Sequence, residues 1–119
     1  MEKAPADTSF LYWYNVEVLS VYDADTITVS VDLGFHLSKS NLKIRLARIN
    51  AWERTGAEKE KGMTAREFLV NRLEGQKVTV NTMKDKTGKY GRMLADVYIG
   101  TSCINDELVK LGHARYQEY

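Results

Sequence analysis

From Thr26 to Leu33 the chain alternates without interruption: Ile27, Val29, Val31 and Leu33 fall on one side, and Thr26, Thr28, Ser30 and Asp32 on the other. A period of two, with β-branched residues on the apolar side, is the pattern of a half-buried strand and not of a helix. The alternation returns at Leu42 to Ile49, where Leu42, Ile44 and Leu46 face inward and Arg45 points to the opposite side. Val78 and Val80 continue it, as does Met93 to Ile99. Val16, Val18, Leu19 and Val21 give a first strand with apolar residues on both faces. Five strands result, separated by turn-rich stretches at Asp23 to Asp25, Gly34 to Asn41 and Asp85 to Gly91.

Two segments break the period. From about Lys61, Ala65, Phe68, Leu69 and Leu73 recur at helical spacing, and Gly75 suits the residue just past a helix end. Before it, Glu53 to Gly62 is a charged loop without apolar pattern. Near the C-terminus, Asn105 is read as an N-cap, with Asp106 and Glu107 in the first turn, Ile104, Leu108 and Leu111 as the apolar side, and Gly112 as the stop. The fold class is therefore mainly β with α (α+β): a five-stranded Greek-key barrel of the oligonucleotide/oligosaccharide-binding type (OB-fold), with one inserted helix and one short C-terminal helix.

A chain of 119 residues fits one domain, spanning 1–119 with 1–9 as a loose tail. Apolar residues at 44% and charged residues at 28% are those of a globular protein and exclude a disordered one. A net charge of +1 excludes a long basic face, so any grip on phosphates must come from local clustering. The single cysteine, Cys103, excludes an internal disulfide and reads as a small buried side chain. No apolar run has the length of a signal-peptide core or a membrane span, so the expectation is a protein without a membrane partner. Unless a leader has been removed, a cytoplasmic location or encoding by a phage or mobile element is expected.

Several residues carry chemistry in order along the chain. Arg45 lies on the outer face of its strand and Arg92 opens another strand after a Tyr-Gly turn; planar guanidinium forks hold two non-bridging phosphate oxygens at once. Asp25, the Asn50 side chain and the Ala51 carbonyl make a partial oxygen shell for a hard divalent cation, with one formal charge. Glu53 stands at the entrance of the charged loop, where a carboxylate can accept a proton from an attacking water. Lys84, Lys86, Lys89 and Arg92 against Asp85 form a local basic patch with Tyr90 in it, suited to a nucleic-acid strand. His36 and His113 have no partners at metal-ligand spacing.

The ordered set Asp23-Ala24-Asp25-Thr26, Arg45-Leu46, Ile49-Asn50-Ala51-Trp52-Glu53, Tyr90-Gly91-Arg92 and Asn105 to Gly112 resembles the staphylococcal nuclease (thermonuclease) family, from about Val16 to Ala114. The resemblance implies a five-stranded barrel with packed helices, hydrolysis of DNA and RNA phosphodiesters, and a calcium requirement. It implies that Arg45 and Arg92 stabilise the transition state and that Glu53 activates or positions the attacking water. Asp25, Asn50 and Ala51 would hold the ion, and Lys89 and Tyr90 would contact a terminal phosphate or sugar of the nucleotide.

The sequence departs from the family in two places. Asn50 stands where the best-known members carry Asp, which implies weaker calcium binding. Trp52 replaces the Pro usual before the catalytic Glu, which removes a fixed φ. The expected function is a calcium-dependent nuclease of low sequence specificity that prefers single-stranded DNA or RNA and has no obligate protein partner. The alternative is a catalytically inactive OB-fold module that binds nucleic acid. Tyr116 and Tyr119 are base-stacking candidates, though terminal packing fits them better.

Overall fold

The computed structural model describes residues 12–87 and 93–117, side chains excepted at 84–87. β1 (Trp13–Asp23), β2 (Thr26–Gly34) and β3 (Leu37–Leu46) form an antiparallel meander. A short strand β4 (Ile49–Ala51) and a 3-10 turn (Gly56–Glu58) lead into helix α1 (Lys59–Leu73). β5 (Lys77–Thr87) and β6 (Met93–Ile99) follow, then β7 (Ser102–Cys103), helix α2 (Ile104–Lys110) and β8 (Ala114–Tyr116). Hydrogen bonding runs β3-β2-β1-β5-β6. Parallel pairing of Ile44, Leu46 and Arg45 on β3 with Met93, Ala95 and Leu94 on β6 closes this order into a five-stranded mixed barrel. The expected OB-type α+β barrel is what forms, with α1 inserted after its third strand.

The core explains the closure. Val16, Val18, Val21, Ile27, Val29, Val31, Ile44, Leu46, Val78, Val80, Ala95 and Val97 fill the barrel, and Ala65, Leu69 and Leu73 of α1 and Ile104 and Leu108 of α2 join the same cluster. Each buried Leu or Ile stabilises by about 2 kcal/mol, which outweighs the marginal stability of a lone helix of this length. Gly75 takes a φ of 77° just past α1, as expected of a residue that ends a helix. No helix among the described residues is long and apolar enough to cross a membrane.

Local details differ from the sequence expectation for identifiable reasons. β1 is not apolar on both faces. A register shift between Val18 and Ser20 sets Leu19 outward and returns Val21 to the core. The stretch from Gly34 to Asn41 is not one long turn: only Phe35 and His36 reverse the chain, with φ of 55° and 62°, the signature of a tight two-residue hairpin. Ser38 to Asn41 belong to β3, where Asn41 at φ 59° sits in a second register shift. Leu33 is exposed because this hairpin extends past the core. α1 starts at Lys59, so Gly62 lies inside the helix and not in the loop.

Leu42 to Ile49 is not a single strand. Ala47 and Arg48 break it, Arg48 with φ 66°. That conformation costs an L-residue about 1 to 2 kcal/mol. It is held by the Arg48 side chain, whose Nε donates to Asp96 Oδ1 at 3.0 Å and Nη1 to Asp106 Oδ1 at 3.0 Å. Hydrogen bonding to Arg48 in turn holds the Asp106 carboxyl below its ordinary range.

Asn105 is not an N-cap; that position is Cys103, and Asn105 lies inside α2. Its fully buried amide donates to Ala47 O at 2.9 Å and Ala95 O at 3.1 Å, while its Oδ1 accepts from Val97 N at 2.9 Å. The residue thus ties α2 to β6 and to the β3–β4 turn. Asn105→Ala removes the side-chain partner of Val97 N and of Ala47 O and one of two bonds to Ala95 O, so a loss of about 3 kcal/mol is expected in urea denaturation. The exposed Asn71→Ala should stay within about 0.5 kcal/mol of the parent. Equal midpoints for the two variants would refute the assigned role.

Candidate functional site

The β3–β4 turn sends β4 back across the end of the barrel, where it pairs with β8 and faces the β1–β2 turn. The space between is a cavity of about 510 Å³ lined by Tyr22, Asp23, Asp25, Arg45, Asn50, Ala51, Trp52, Glu53, Arg54, Thr55 and Met63. Asp25, Arg45, Asn50, Ala51 and Glu53, singled out from sequence for different reasons, thus border one space.

Arg45 points away from Ile44 and Leu46, as the alternation requires, yet it is only 6% exposed. Its Nη2 lies 3.3 Å from Asp25 Oδ2, its Nη1 donates to Leu46 O at 2.9 Å, and Nη2 also reaches Asn50 Oδ1 at 3.4 Å. Asp25 accepts further from Ala51 N at 3.0 Å and from Thr26 Oγ1 at 3.2 Å. The pair therefore joins the start of β2, the end of β3 and β4. Glu53 is exposed at the mouth, and its backbone N–H donates to Glu58 Oε1 at 3.4 Å.

Two contacts fix the chain on either side of Glu53. Trp52 donates its indole N–H to Gly112 O at 2.7 Å and lies under Lys61 Nζ, 4.9 Å from the ring centroid. Gly62 of α1 meets the Glu53 peptide: a Cβ built there falls 2.0 Å from Glu53 O and 2.3 Å from its carbonyl carbon. Only a residue without a side chain permits this approach. Neither contact was legible in sequence, since both join distant segments.

Arg92, Lys89 and Tyr90 lie outside the described residues, as do Gly91 and Tyr119, and the side chains of Lys84 and Lys86 are likewise not described. Tyr22, Arg54, Thr55 and Met63 line the cavity without having been expected there. For Arg54 the signal was adjacency to Glu53. Among the described residues no three His, Cys, Asp or Glu side chains converge as a metal cluster. Tyr116 pairs within β8 and donates its hydroxyl to Asp106 Oδ1 at 2.9 Å. Cys103 is half-buried, and burial pushes its thiol pKa up, away from the reactive thiolate. His113 stacks on Phe68 at 4.8 Å between centroids, and His36 occupies the hairpin turn.

A closed OB-type barrel with an acid- and arginine-lined cavity at the β1–β2 turn defines a class of small barrel proteins with a polar end site. Residues 43–119 match the staphylococcal nuclease homologue family, so the chain belongs to that family. The thermonuclease of Staphylococcus hyicus is 30% identical over 106 residues, covering 87% of this chain and 59% of the relative. The chain thus spans about three fifths of that relative's length.

The buried pair and the glycine approach each make a prediction. Arg45→Met removes the counter-charge of the buried Asp25 carboxylate and should cost about 3 to 5 kcal/mol, whereas the Arg45→Met, Asp25→Asn double variant should recover part of that loss. Additive losses in urea denaturation would show that the two side chains do not act as a pair. Gly62→Ala should cost about 1 to 3 kcal/mol through overpacking against the Glu53 peptide. Parent-like stability there would contradict the close approach.

Proposed function

We propose that this protein is a calcium-dependent nuclease that hydrolyses DNA and RNA phosphodiester bonds with low sequence preference and favours single-stranded substrate. The observation that carries the reading is convergence: Asp25, Arg45, Asn50 and Glu53, from separate segments, border one cavity in a member of the staphylococcal nuclease family. Unstacked strands fit a shallow barrel end more readily than a stiff duplex.

In this reading Arg45, with Arg92 from the sequence, holds the non-bridging oxygens as negative charge gathers on them. Glu53 at the cavity mouth accepts the proton of the attacking water as the new oxygen–phosphorus bond forms and the bond to the leaving nucleotide breaks. Lys89 and Tyr90 contact the nucleotide's terminal phosphate or sugar.

The donor set suits a hard cation. Asp23, Asp25, Asn50 and Glu53 supply oxygens, and no imidazole or thiolate lines the cavity among the described residues. Asp25, Asn50 and the Ala51 carbonyl would hold calcium, with water completing the shell. Its chemistry there would be to polarise the phosphate and bound water. One amide in place of a second carboxylate makes that binding weak.

Incubation with single-stranded DNA and RNA, with calcium or with chelator, tests the reading. Calcium-dependent fragments are expected, while tight binding to substrate that stays intact would replace it with an inactive binding module. Glu53→Gln should lower turnover at least about a hundredfold. Because the side chain is exposed, thermal stability should not move. Near-normal turnover would remove Glu53 from the mechanism.

A further inference from the structure

The cavity is acidic for a site that must accept a polyanion. Its described lining holds three carboxylates, Asp23, Asp25 and Glu53, against two guanidiniums, Arg45 and Arg54. Arg45 is committed to Asp25 and lies deep, with its side chain 7% exposed. Arg54 sits nearer the surface, with 30% of its side chain exposed, and is held from two directions. Its Nε donates to Asp23 Oδ1, and its guanidinium carbon lies 5.1 Å from the centroid of the exposed Tyr22 ring.

An exposed ion pair alone contributes little to stability and needs no ring beneath it. Pairing through Nε, with the guanidinium carbon over a ring, instead restrains the fork while the hydrogen bond leaves the Nη edge outside the Asp23 contact. Such an edge matches two phosphate oxygens and loses little entropy on binding them.

We infer that Arg54, oriented by Asp23 and Tyr22, forms a second phosphate subsite at the cavity rim, which takes the backbone phosphate of the nucleotide next to the one cleaved. The inference rests on the nuclease reading and extends it: the strand crosses the site with one phosphate at the depth of Arg45 and its neighbour on Arg54. Occupation of the rim guanidinium offsets the repulsion between the incoming strand and the three carboxylates. Substrates that carry a flanking phosphate are therefore favoured over a dinucleotide.

Binding of a fluorescein-labelled thymidine dodecamer, measured by anisotropy in chelator across a salt series, tests the subsite without cleavage. Arg54→Ala should weaken binding about tenfold. It should also reduce the slope of log affinity against log salt by about 0.7, the value of one phosphate contact on a single strand. Arg54→Lys, which keeps the charge and loses the fork, should restore the slope but only part of the affinity. Lys39→Ala, which removes an exposed charge on the β2–β3 hairpin, should leave the slope unchanged.

An unchanged slope in Arg54→Ala, or an equal fall in Lys39→Ala, overturns the subsite while leaving the nuclease reading intact. A parent protein that cleaves nothing with calcium and does not bind the dodecamer overturns both. Cleavage by the parent, with KM for the dodecamer raised in Arg54→Ala more than KM for a dinucleotide, supports the subsite; equal rises in both refute it.

Discussion

The end of the barrel depends on a buried charge pair. Taking Asp25 and Arg45 out of water costs several kcal/mol for each ion, and mutual attraction alone does not repay it. The remaining hydrogen-bonding capacity does. Thr26 Oγ1 and Ala51 N donate to the carboxylate, and Leu46 O accepts from the guanidinium. Among the described residues no buried side-chain nitrogen or oxygen is left without a partner. The same contacts that stabilise the ions also fix the register between the β1–β2 turn, the end of β3 and β4. Chain reversal at Arg48 is what brings Ala51 into reach, and Asn105 holds that reversal through Ala47 O. The site and the fold thus share one set of interactions, and a change at either end moves the other.

How much of this was legible follows the range of the interactions. Alternation marked β2 and the inner half of β3 because a half-buried strand writes its period into adjacent residues. Gly75 marked the end of α1 for an equally local reason. Phe35 and His36 were unreadable as a turn, since a bulky Phe rarely takes the positive φ it adopts here and neither residue is among the usual two-residue hairpin types. The bulge at Leu19 was hidden by an apolar residue that looks like core. Asn105 misled because a good capping residue and a buried cross-linking amide look alike until β6 is placed against α2. The ordered acids and arginines were legible as a set. Their common cavity was not, because it depends on the break at Ala47 and Arg48 within what reads as one strand.

The same distinction governs the segment at Glu53. Sequence alone suggests that Trp52, in place of the family's usual Pro, loosens the chain by removing a fixed φ. In the structure the indole is bonded to Gly112 O and covered by Lys61, and α1 presses on the next peptide through Gly62. Rigidity that a proline supplies from within the backbone is here supplied by packing from two separate elements. A proline needs no partner, whereas this arrangement requires Trp52, Gly62 and the Gly112 carbonyl together, so the helix that packs on the barrel also sets where the exposed carboxylate stands.

Asn50 acquires a different meaning in this setting. From sequence it is only a deficit, one carboxylate fewer for a cation. In the structure its Oδ1 lies 3.4 Å from Arg45 Nη2, the guanidinium already shared with Asp25. A second carboxylate at that position would place Arg45 between two negative charges and cancel more of its field within the cavity. The neutral amide leaves more of that positive potential for a phosphate. In the proposed nuclease site the amide would therefore hold a cation less well and leave more of Arg45's charge for a phosphate, because both ligands compete for the compensating charge of the same residues. With Asp23 paired to Arg54 as well, Asp25 is the one carboxylate among the ligands assigned to the ion in the proposed site, and Arg45 already shares its charge.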